Sequence, residues 1–325
     1  MGFKPENCQN VLSNKFGDCK GMANLTKEML KIAGYDARLT WLGTSDVPYT
    51  YEIPSVIVDN HMICTVILDG EKIFLDPTEK YSELYNYAHR IQGQEVLIEN
   101  GDQYLIETVP ISKPENHSEV TQLNFSLADS ELDGSGQIQF KGNRKTRIFN
   151  YMSVYPESER EDFFKKYIGN QDKNISLQLR SEPDLNNRDE DLVVPFDLQL
   201  ENQVIDLGNE LYLNLEADYH FQNYEIPDDR IVGYEFGGRS LIQTTVTFSI
   251  PEGWNVTYMP ESIDIENDKY VFDLNFKEDN SKIIYQRSIK IKDPYLAPND
   301  FGEWNTLIKK IQTFYSDQII LAKKE

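Results

Sequence analysis

The sequence predicts an α+β fold in which a helix and a β-hairpin are followed by an antiparallel β-domain. A helical spacing of apolar residues starts just after residue 18. Two β-type runs then flank a two-residue turn, and beyond residue 109 apolar residues recur at every second position. We therefore expect a first domain over residues 1–108 and a β-domain of sandwich type over 109–325, with a further break near residue 240 if that domain is itself divided.

The first predicted helix places a cysteine in its first turn. Asp18 is a suitable N-cap, Gly34 is a suitable stop, and the apolar stripe between them consists of Met22, Leu25, Met29 and Ile32. Unpaired N–H groups and the helix dipole favour negative charge at Cys19, and the thiolate is the nucleophilic form of cysteine. The alternative interpretation is that Cys19 is only a small buried apolar residue.

A β-hairpin follows the helix. Residues 62–68 and 72–75 have strand character, and Asp69-Gly70 between them is a strong signal for a two-residue turn. With that turn, Leu68 pairs with Glu71, and the register of the whole hairpin is set.

This register predicts a histidine–carboxylate pair. Ile63 lies opposite Asp76, and residues two apart share a face, so His61, Ile63 and Asp76 point to the same side. His61 and Asp76 are then diagonal neighbours within side-chain reach of each other. Cys64 points to the other face and is excluded as their partner. On their own, such residues are also common as surface turn residues.

The β-domain begins after a polar, proline-containing linker at residues 109–116. Period-two runs separated by turn residues indicate an antiparallel sheet. Two helices interrupt it, one opened by Pro156 and stopped by Gly169. The second has core residues at helical spacing, namely Phe301, Trp304, Leu307, Ile308, Ile311 and Tyr315.

Composition excludes several classes of protein. The 325-residue chain carries a net charge of -22, which argues against nucleic-acid binding because phosphate contacts need basic patches. No apolar run is long enough for a membrane span. Three cysteines do not form a disulfide framework, and they and the four histidines lack metal-site spacing. We therefore predict no metal and no cofactor.

Three short motifs in order resemble those of the transglutaminase-like superfamily of papain-type cysteine enzymes. They are Gly17-Asp18-Cys19-Lys20 before the helix, Asn60-His61-Met62-Ile63, and Leu75-Asp76-Pro77-Thr78. The chain looks most similar to large bacterial envelope proteins in which such a core adjoins β-rich domains. The resemblance implies a papain/transglutaminase-like core at residues 1–108 and a periplasmic or cell-surface location.

The resemblance also implies roles for the site residues. Cys19 is the expected nucleophile, His61 the general base and acid, and Asp76 the carboxylate that holds the imidazole. Many relatives have Asp where this chain has Gly21, and only 18 residues precede Cys19. We therefore expect an N-terminally shortened core, either as the C-terminal part of a longer protein or as a reduced member of the family. The Cys19 N–H is one expected oxyanion donor, and a side-chain amide of Gln9, Asn10 or Asn14 is a candidate for the second.

Three functional hypotheses remain open. The first is a cysteine protease, amidase or acyltransferase that acts on peptide or protein amides through a thioacyl-enzyme, resolved by water or by an amine. The second is a non-catalytic binding or scaffold protein of the bacterial envelope that retains an inherited triad, with the β-domain in contact with a peptide, a glycan or another envelope protein. The third is a folded unit without a site, which predicts a buried Cys19 and a His61 that is turned away.

Overall fold

The computed structural model describes residues 4–53, 56–169, 173–185 and 187–324. The chain divides into two units, Met1–Ser112 and Lys113–Glu325. Within the described residues, no helix is long and apolar enough to cross a membrane.

The described residues of the first unit are built around an antiparallel sheet with strand order β3-β2-β1-β4-β5. The helix α2 packs against β1 and β2, and α1 packs against α2. The elements are α1 (Cys8–Asn14), α2 (Cys19–Ile32), β1 (Asp36–Leu42), β2 (His61–Leu68), β3 (Glu71–Leu75), β4 (Glu95–Asn100) and β5 (Gln103–Thr108).

The β2–β3 hairpin has the register that the turn predicts. Asp69 and Gly70 both have positive φ, at 51° and 86°, which is the geometry of a type I′ turn. Leu68 pairs with Glu71, and the ladder continues to the end of β3. The predicted register of the hairpin is confirmed.

Both faces of the sheet are buried. One face carries a core of Leu42, Ile63, Phe74, Tyr87, Ile91, Val96, Ile98 and Val109. The other face lies under α2, where Leu30 packs with Ala37, Cys64, Val66 and Ile73. Cys64 therefore lies on the opposite face from Ile63, as the alternation predicts.

The expected fold class is wrong. We predicted a papain/transglutaminase-like α+β core followed by an antiparallel β-domain, but the chain is mostly β-sheet throughout. In the described part of the first unit, the last α-helix ends at Ile32, α2 packs against the sheet, and α1 packs against α2. Three short motifs specify the order of a few residues, and they do not specify the helical layers around them.

The described residues of the second unit form three sheets. The largest has eight strands in the order β15-β16-β17-β13-β6-β7-β9-β8, and the smaller ones are β10-β11-β19-β14 and β12-β18. The elements are β6 (Ser118–Ala128), β7 (Glu131–Phe140), α3 (Asn143–Val154), α4 (Arg160–Ile168), β8 (Ile175–Leu179), β9 (Leu192–Leu200), β10 (Val204–Asp206), β11 (Glu210–Leu213), β12 (Tyr234–Glu235), β13 (Ser240–Ser249), β14 (Trp254–Tyr258), β15 (Ile263–Glu266), β16 (Tyr270–Asp279), β17 (Lys282–Ile291), β18 (Tyr295–Leu296), α5 (Phe301–Ser316) and β19 (Ile319–Lys323).

One strand pair in the large sheet is parallel, which also corrects the predicted antiparallel domain. β13 runs parallel to β6, from Leu241 opposite Ser118 to Phe248 opposite Phe125. The remaining neighbours in this sheet are antiparallel. One continuous sheet therefore contains strands from both sides of residue 240.

The helices of this unit differ in how well the sequence predicts them. The six core positions predicted for α5 are all buried, and this prediction is confirmed. The helix that we predicted to open at Pro156 begins four residues later, at Arg160. A 3-10 turn at residues 157–159 precedes it. The sequence interpretation missed α3, whose apolar residues Ile148, Phe149 and Met152 form a short stripe.

A buried carboxylate links several elements of this unit. Glu119 on β6 accepts a hydrogen bond from the Tyr167 hydroxyl at 2.8 Å and lies 3.6 Å from Arg144 Nη1. His220 Nε2 lies 3.8 Å from the other carboxylate oxygen of Glu119. Burial alone would raise the pKa of Glu119, but His220, Arg144 and Tyr167 outweigh it and lower the pKa to about 2.

We expect Glu119→Gln to remove part of the acid sensitivity of the fold. Because the folded-state pKa is depressed, ionised Glu119 stabilises the fold above its ordinary pKa, and this contribution is lost as pH falls towards the folded value. It amounts to about 3 kcal/mol at neutral pH. Urea unfolding of both proteins across the acidic range measures the difference, with exposed Glu252→Gln as control. A difference that does not shrink in acid would contradict the expectation.

Candidate active site

Cys19 is the first residue of α2 and is held at a well-capped helix start. The Asp18 side chain accepts a hydrogen bond from the Gly21 N–H at 2.9 Å, and Lys20 Nζ lies 2.7 Å from its other oxygen. The hydrogen bonds from Lys20 and from the Gly21 N–H lower the pKa of Asp18. Lys20 therefore offsets the charge of the capping carboxylate next to the cysteine. The Cys19 side chain is half-buried.

His61 and Asp76 form a direct pair. His61 Nε2 lies 2.8 Å from Asp76 Oδ2, and both side chains are largely buried, with 10% and 5% exposed. His61 is the first residue of β2, and Asp76 directly follows β3, so the hairpin brings them together.

Three further donors hold the carboxylate of Asp76. The Thr78 N–H and hydroxyl donate to Oδ1 at 3.0 and 2.6 Å, and Arg90 Nη2 donates to Oδ2 at 2.6 Å. Burial raises the pKa of Asp76, but the bonds from His61 and Thr78 and the charge of Arg90 outweigh it, so the pKa lies below its ordinary value. An ionised Asp76 fixes the proton of His61 on Nε2 and leaves Nδ1 as the acceptor.

The sequence interpretation missed Thr78 and Arg90. Asp76-Pro77-Thr78 is a turn sequence in which an aspartate commonly bonds the backbone two residues later, and this signal could have identified Thr78. No local sequence pattern predicts the contact of Arg90 with Asp76. Arg90 lies in the 3-10 helix His89–Ile91 and also binds Glu79, so only the folded chain reveals this contact.

Cys19 lies at the same end of the sheet as this pair. Its side chain packs with Ala23 of α2, Leu39 of β1 and Met62 of β2, whereas Leu30, farther along α2, packs beside Cys64. His61 is one residue before Met62, and strand alternation assigns it to the other face. Within the described ranges no hydrogen bond joins Cys19 to His61. The structure thus pairs His61 with Asp76 and places Cys19 near the start of β2, without a hydrogen bond between Cys19 and His61 in the described residues.

A cavity of about 210 Å³ adjoins Asp76. Thr26 of α2 lines it, together with residues that follow β3. Among these, the Ser82 hydroxyl and both polar atoms of the Asn86 amide are buried and have no hydrogen-bond partner in the described part of the chain. Two residues with unpaired buried polar atoms, Ser82 and Asn86, therefore belong to the lining of this cavity.

The second unit contains a cluster with ligand-type atoms. Atoms of Glu119, Asp218 and His220 lie within 4.8 Å of one another. Asp218 lies 3.0 Å from His220 Nε2 and 3.3 Å from Arg287 Nη2, while Arg144 lies beside Glu119. Since these arginines already balance the carboxylates, we assign this cluster to the ion-pair network of the fold.

Two comparisons relate the chain to known proteins. The model of DUF3858, described as a "Domain of Unknown Function with solved-structure structure", matches residues 209–321. A crystal structure from Parabacteroides distasonis ATCC 8503, named as that of a "putative protease", is 11% identical, with a TM-score of 0.51 over 98% of this chain and 46% of that one. No curated protein matches.

The chain spans just under half the length of the Parabacteroides protein, and at 11% identity the likeness concerns the fold alone. The DUF3858 match lies entirely in the second unit. The chain is thus similar in fold to part of the Parabacteroides protein, and residues 209–321 of its second unit match the DUF3858 model.

Proposed function

We propose that this protein is a cysteine acyl-transfer enzyme of transglutaminase-like type that acts on peptide or protein amides. Cys19 is the nucleophile, His61 the general base and acid, and Asp76 the orienting carboxylate. The observation that carries the proposal is the buried 2.8 Å pair of His61 and Asp76 at the end of the sheet where α2 begins. The distant structural match to the Parabacteroides protein gives limited support for a protease-like function.

The proposed reaction proceeds through a thioacyl-enzyme. His61 Nδ1 takes the proton of the Cys19 thiol as the sulfur attacks the substrate carbonyl carbon and a C–S bond forms. The tetrahedral oxyanion then collapses, the C–N bond breaks, and the imidazolium returns its proton to the leaving amine. Asp76 stabilises the imidazolium in between. Water or a second amine, deprotonated by His61, then attacks the thioester carbon, the C–S bond breaks, and the imidazolium returns the proton to the Cys19 sulfur.

The substrate class in this proposal agrees with the cavity beside Asp76. The Asn86 amide can donate to a carbonyl and accept from an N–H, and the Ser82 hydroxyl can do either. A peptide group or a side-chain carboxamide offers these complementary groups. The resemblance in the three motifs further leads us to propose a periplasmic or cell-surface location.

A binding module with an inherited triad is the second candidate. The specific observation that favours it is the position of Cys19, which packs with Met62 on the face of the sheet opposite to the one assigned to His61. In that case Cys19 is a packing residue and the His61–Asp76 pair is structural.

The rate of Cys19 alkylation by iodoacetamide tests the proposal. Cys8, whose sulfur accepts from Asn24 at 3.1 Å, is replaced by Ala in every protein compared. Cys64 is not expected to react with iodoacetamide at neutral pH, because burial raises its pKa to about 12. We expect His61→Ala to slow alkylation at neutral pH about tenfold or more, because the imidazole no longer supports the thiolate.

The matched control is His89→Ala, which removes a histidine of the same unit outside the pair. A rate that His61→Ala leaves unchanged would contradict the enzyme proposal and favour the binding module. An inert Cys19 in every protein would favour a folded unit without a site.

A further inference from the structure

The second unit contains a cavity whose lining is rich in arginine. It has a volume of about 190 Å³ and lies between the start of α3 and the segment 234–240. Arg144 and Arg147 of α3 and Arg239 line it, together with the carboxylate-bearing Glu235. In a chain with a net charge of -22, this is a local concentration of positive charge.

The three arginines are engaged to different extents. Arg144 donates to the Ser240 hydroxyl at 3.3 Å and faces Glu119 at 3.6 Å. Arg147 contacts the hydroxyl and ring of the exposed Tyr151. The guanidinium of Arg239, half-buried in the lining, makes no hydrogen bond or ion pair within the described ranges. At least one permanently charged side chain at this cavity, Arg239, therefore has its N–H donors available.

The backbone around the cavity also favours negative charge. The first turn of α3 contributes to the lining, and the positive end of a helix dipole attracts anions. Opposite it, Gly237 and Gly238 place bare backbone at the cavity, and a side chain at Gly237 would meet no atom within 4 Å. A ligand can approach this backbone closely because no Cβ intervenes.

Four aromatic residues also line the cavity, beside Ile291 and His117. The rings belong to Phe221, Tyr224, Tyr234 and Phe236. A cavity of roughly 150 Å³ is enough to hold benzene, so this one has room for a single ring and a small charged group. Aromatic walls favour a flat apolar or sugar ring, and the arginines favour the charge.

From this arrangement we infer that the cavity is a binding site for a small anion, a carboxylate or phosphate group attached to a single ring. Arg239 and Arg147 bind the anionic group, and the aromatic side chains pack against the ring. The inference does not depend on Cys19, His61 or Asp76, all of which belong to the other unit.

Isothermal titration of the full chain with phenyl phosphate and with benzoate tests the site. Phenol supplies the ring without the charge, and inorganic phosphate supplies the charge without the ring. We expect at least one of the ring anions to bind at millimolar concentration or below, and both half-ligands to bind more weakly. Arg239→Ala should raise the dissociation constant about tenfold or more.

The matched control is Arg180→Ala, which removes an arginine from an exposed ion pair with Asp197 outside the cavity. Arg147→Ala, at an exposed helix position, provides a second test should Arg239→Ala fail to fold. Binding of phenyl phosphate without binding of benzoate identifies a phosphate site. Binding of benzoate without binding of phenyl phosphate identifies a carboxylate site. Absence of binding by both ring anions, or binding that neither arginine variant weakens, would overturn the inference.

Discussion

Asp76→Asn is expected to slow acylation of Cys19 by about three to four orders of magnitude, the size of effect known for the orienting aspartate of other triads. In the proposed mechanism, the ionised carboxylate accepts the Nε2 proton of His61 at 2.8 Å and keeps Nδ1 free to take the thiol proton. An Asn amide can present its NH2 group to Nε2, which moves the imidazole proton to Nδ1. The initial burst of 4-nitrophenolate from a 4-nitrophenyl ester measures the acylation rate, because each released phenolate reports one thioester formed.

Asp69→Asn is the matched control for this change. Asp69 lies in the turn at the other end of the same hairpin and has φ 51°, a conformation that Asn adopts readily. It should leave the burst rate unchanged, and Cys19→Ala should abolish the burst. If Asp76→Asn acylates at the wild-type rate while Cys19→Ala does not, Asp76 is not the orienting group of the reaction.

Arg287→Met is expected to lower the free energy of unfolding of the second unit by about 3–5 kcal/mol. Arg287 on β17 is almost completely buried, and its guanidinium donates to Glu216 at 2.9 Å and to the Thr244 hydroxyl at 2.8 Å. Burial raises the pKa of Glu216 even with this arginine beside it. Without Arg287 the carboxylate either stays charged without its cation or takes up a proton, and both states cost free energy.

Urea unfolding followed by the fluorescence of buried Trp304 measures this loss. Adding Glu216→Gln to Arg287→Met should recover much of the stability, because the amide still offers an acceptor to the Tyr285 hydroxyl, which bonds Glu216 at 2.6 Å. Arg180→Met, at an exposed ion pair, should change little. A loss for Arg287→Met no greater than that of Arg180→Met would show that the network contributes nothing to stability.

Local features of the fold were predictable from sequence. The turn at Asp69-Gly70, the cap at Asp18 and the buried stripe of α5 each depend on residues a few positions apart, and each is present in the structure. The closeness of His61 and Asp76 follows from the same turn. Such features are encoded within one element or one hairpin, so spacing alone identifies them.

Features that depend on distant segments were not predictable in this way. The parallel pairing of β6 with β13 joins residues more than a hundred positions apart, and no local pattern specifies it. Arg90 reaches Asp76 only because the loop after β3 folds back. The motifs that suggested a papain-type core describe a few positions, whereas the layers around them depend on the rest of the chain.

The parallel pair of β6 and β13 also bears on how the second unit folds. β13 lies inside the eight-stranded sheet with β17 on one side and β6 on the other, so the sheet is incomplete until the chain from 118 to 291 has been synthesised. Strand pairs so far apart in sequence form slowly. The entropy of the long intervening chain is lost before the contacts between the strands offset that loss. A fragment limited to residues 209–321 contains β13 but lacks β6, and it would expose a long unpaired strand edge of the kind that promotes aggregation. The region of sequence similarity is therefore smaller than the cooperative folding unit to which it belongs.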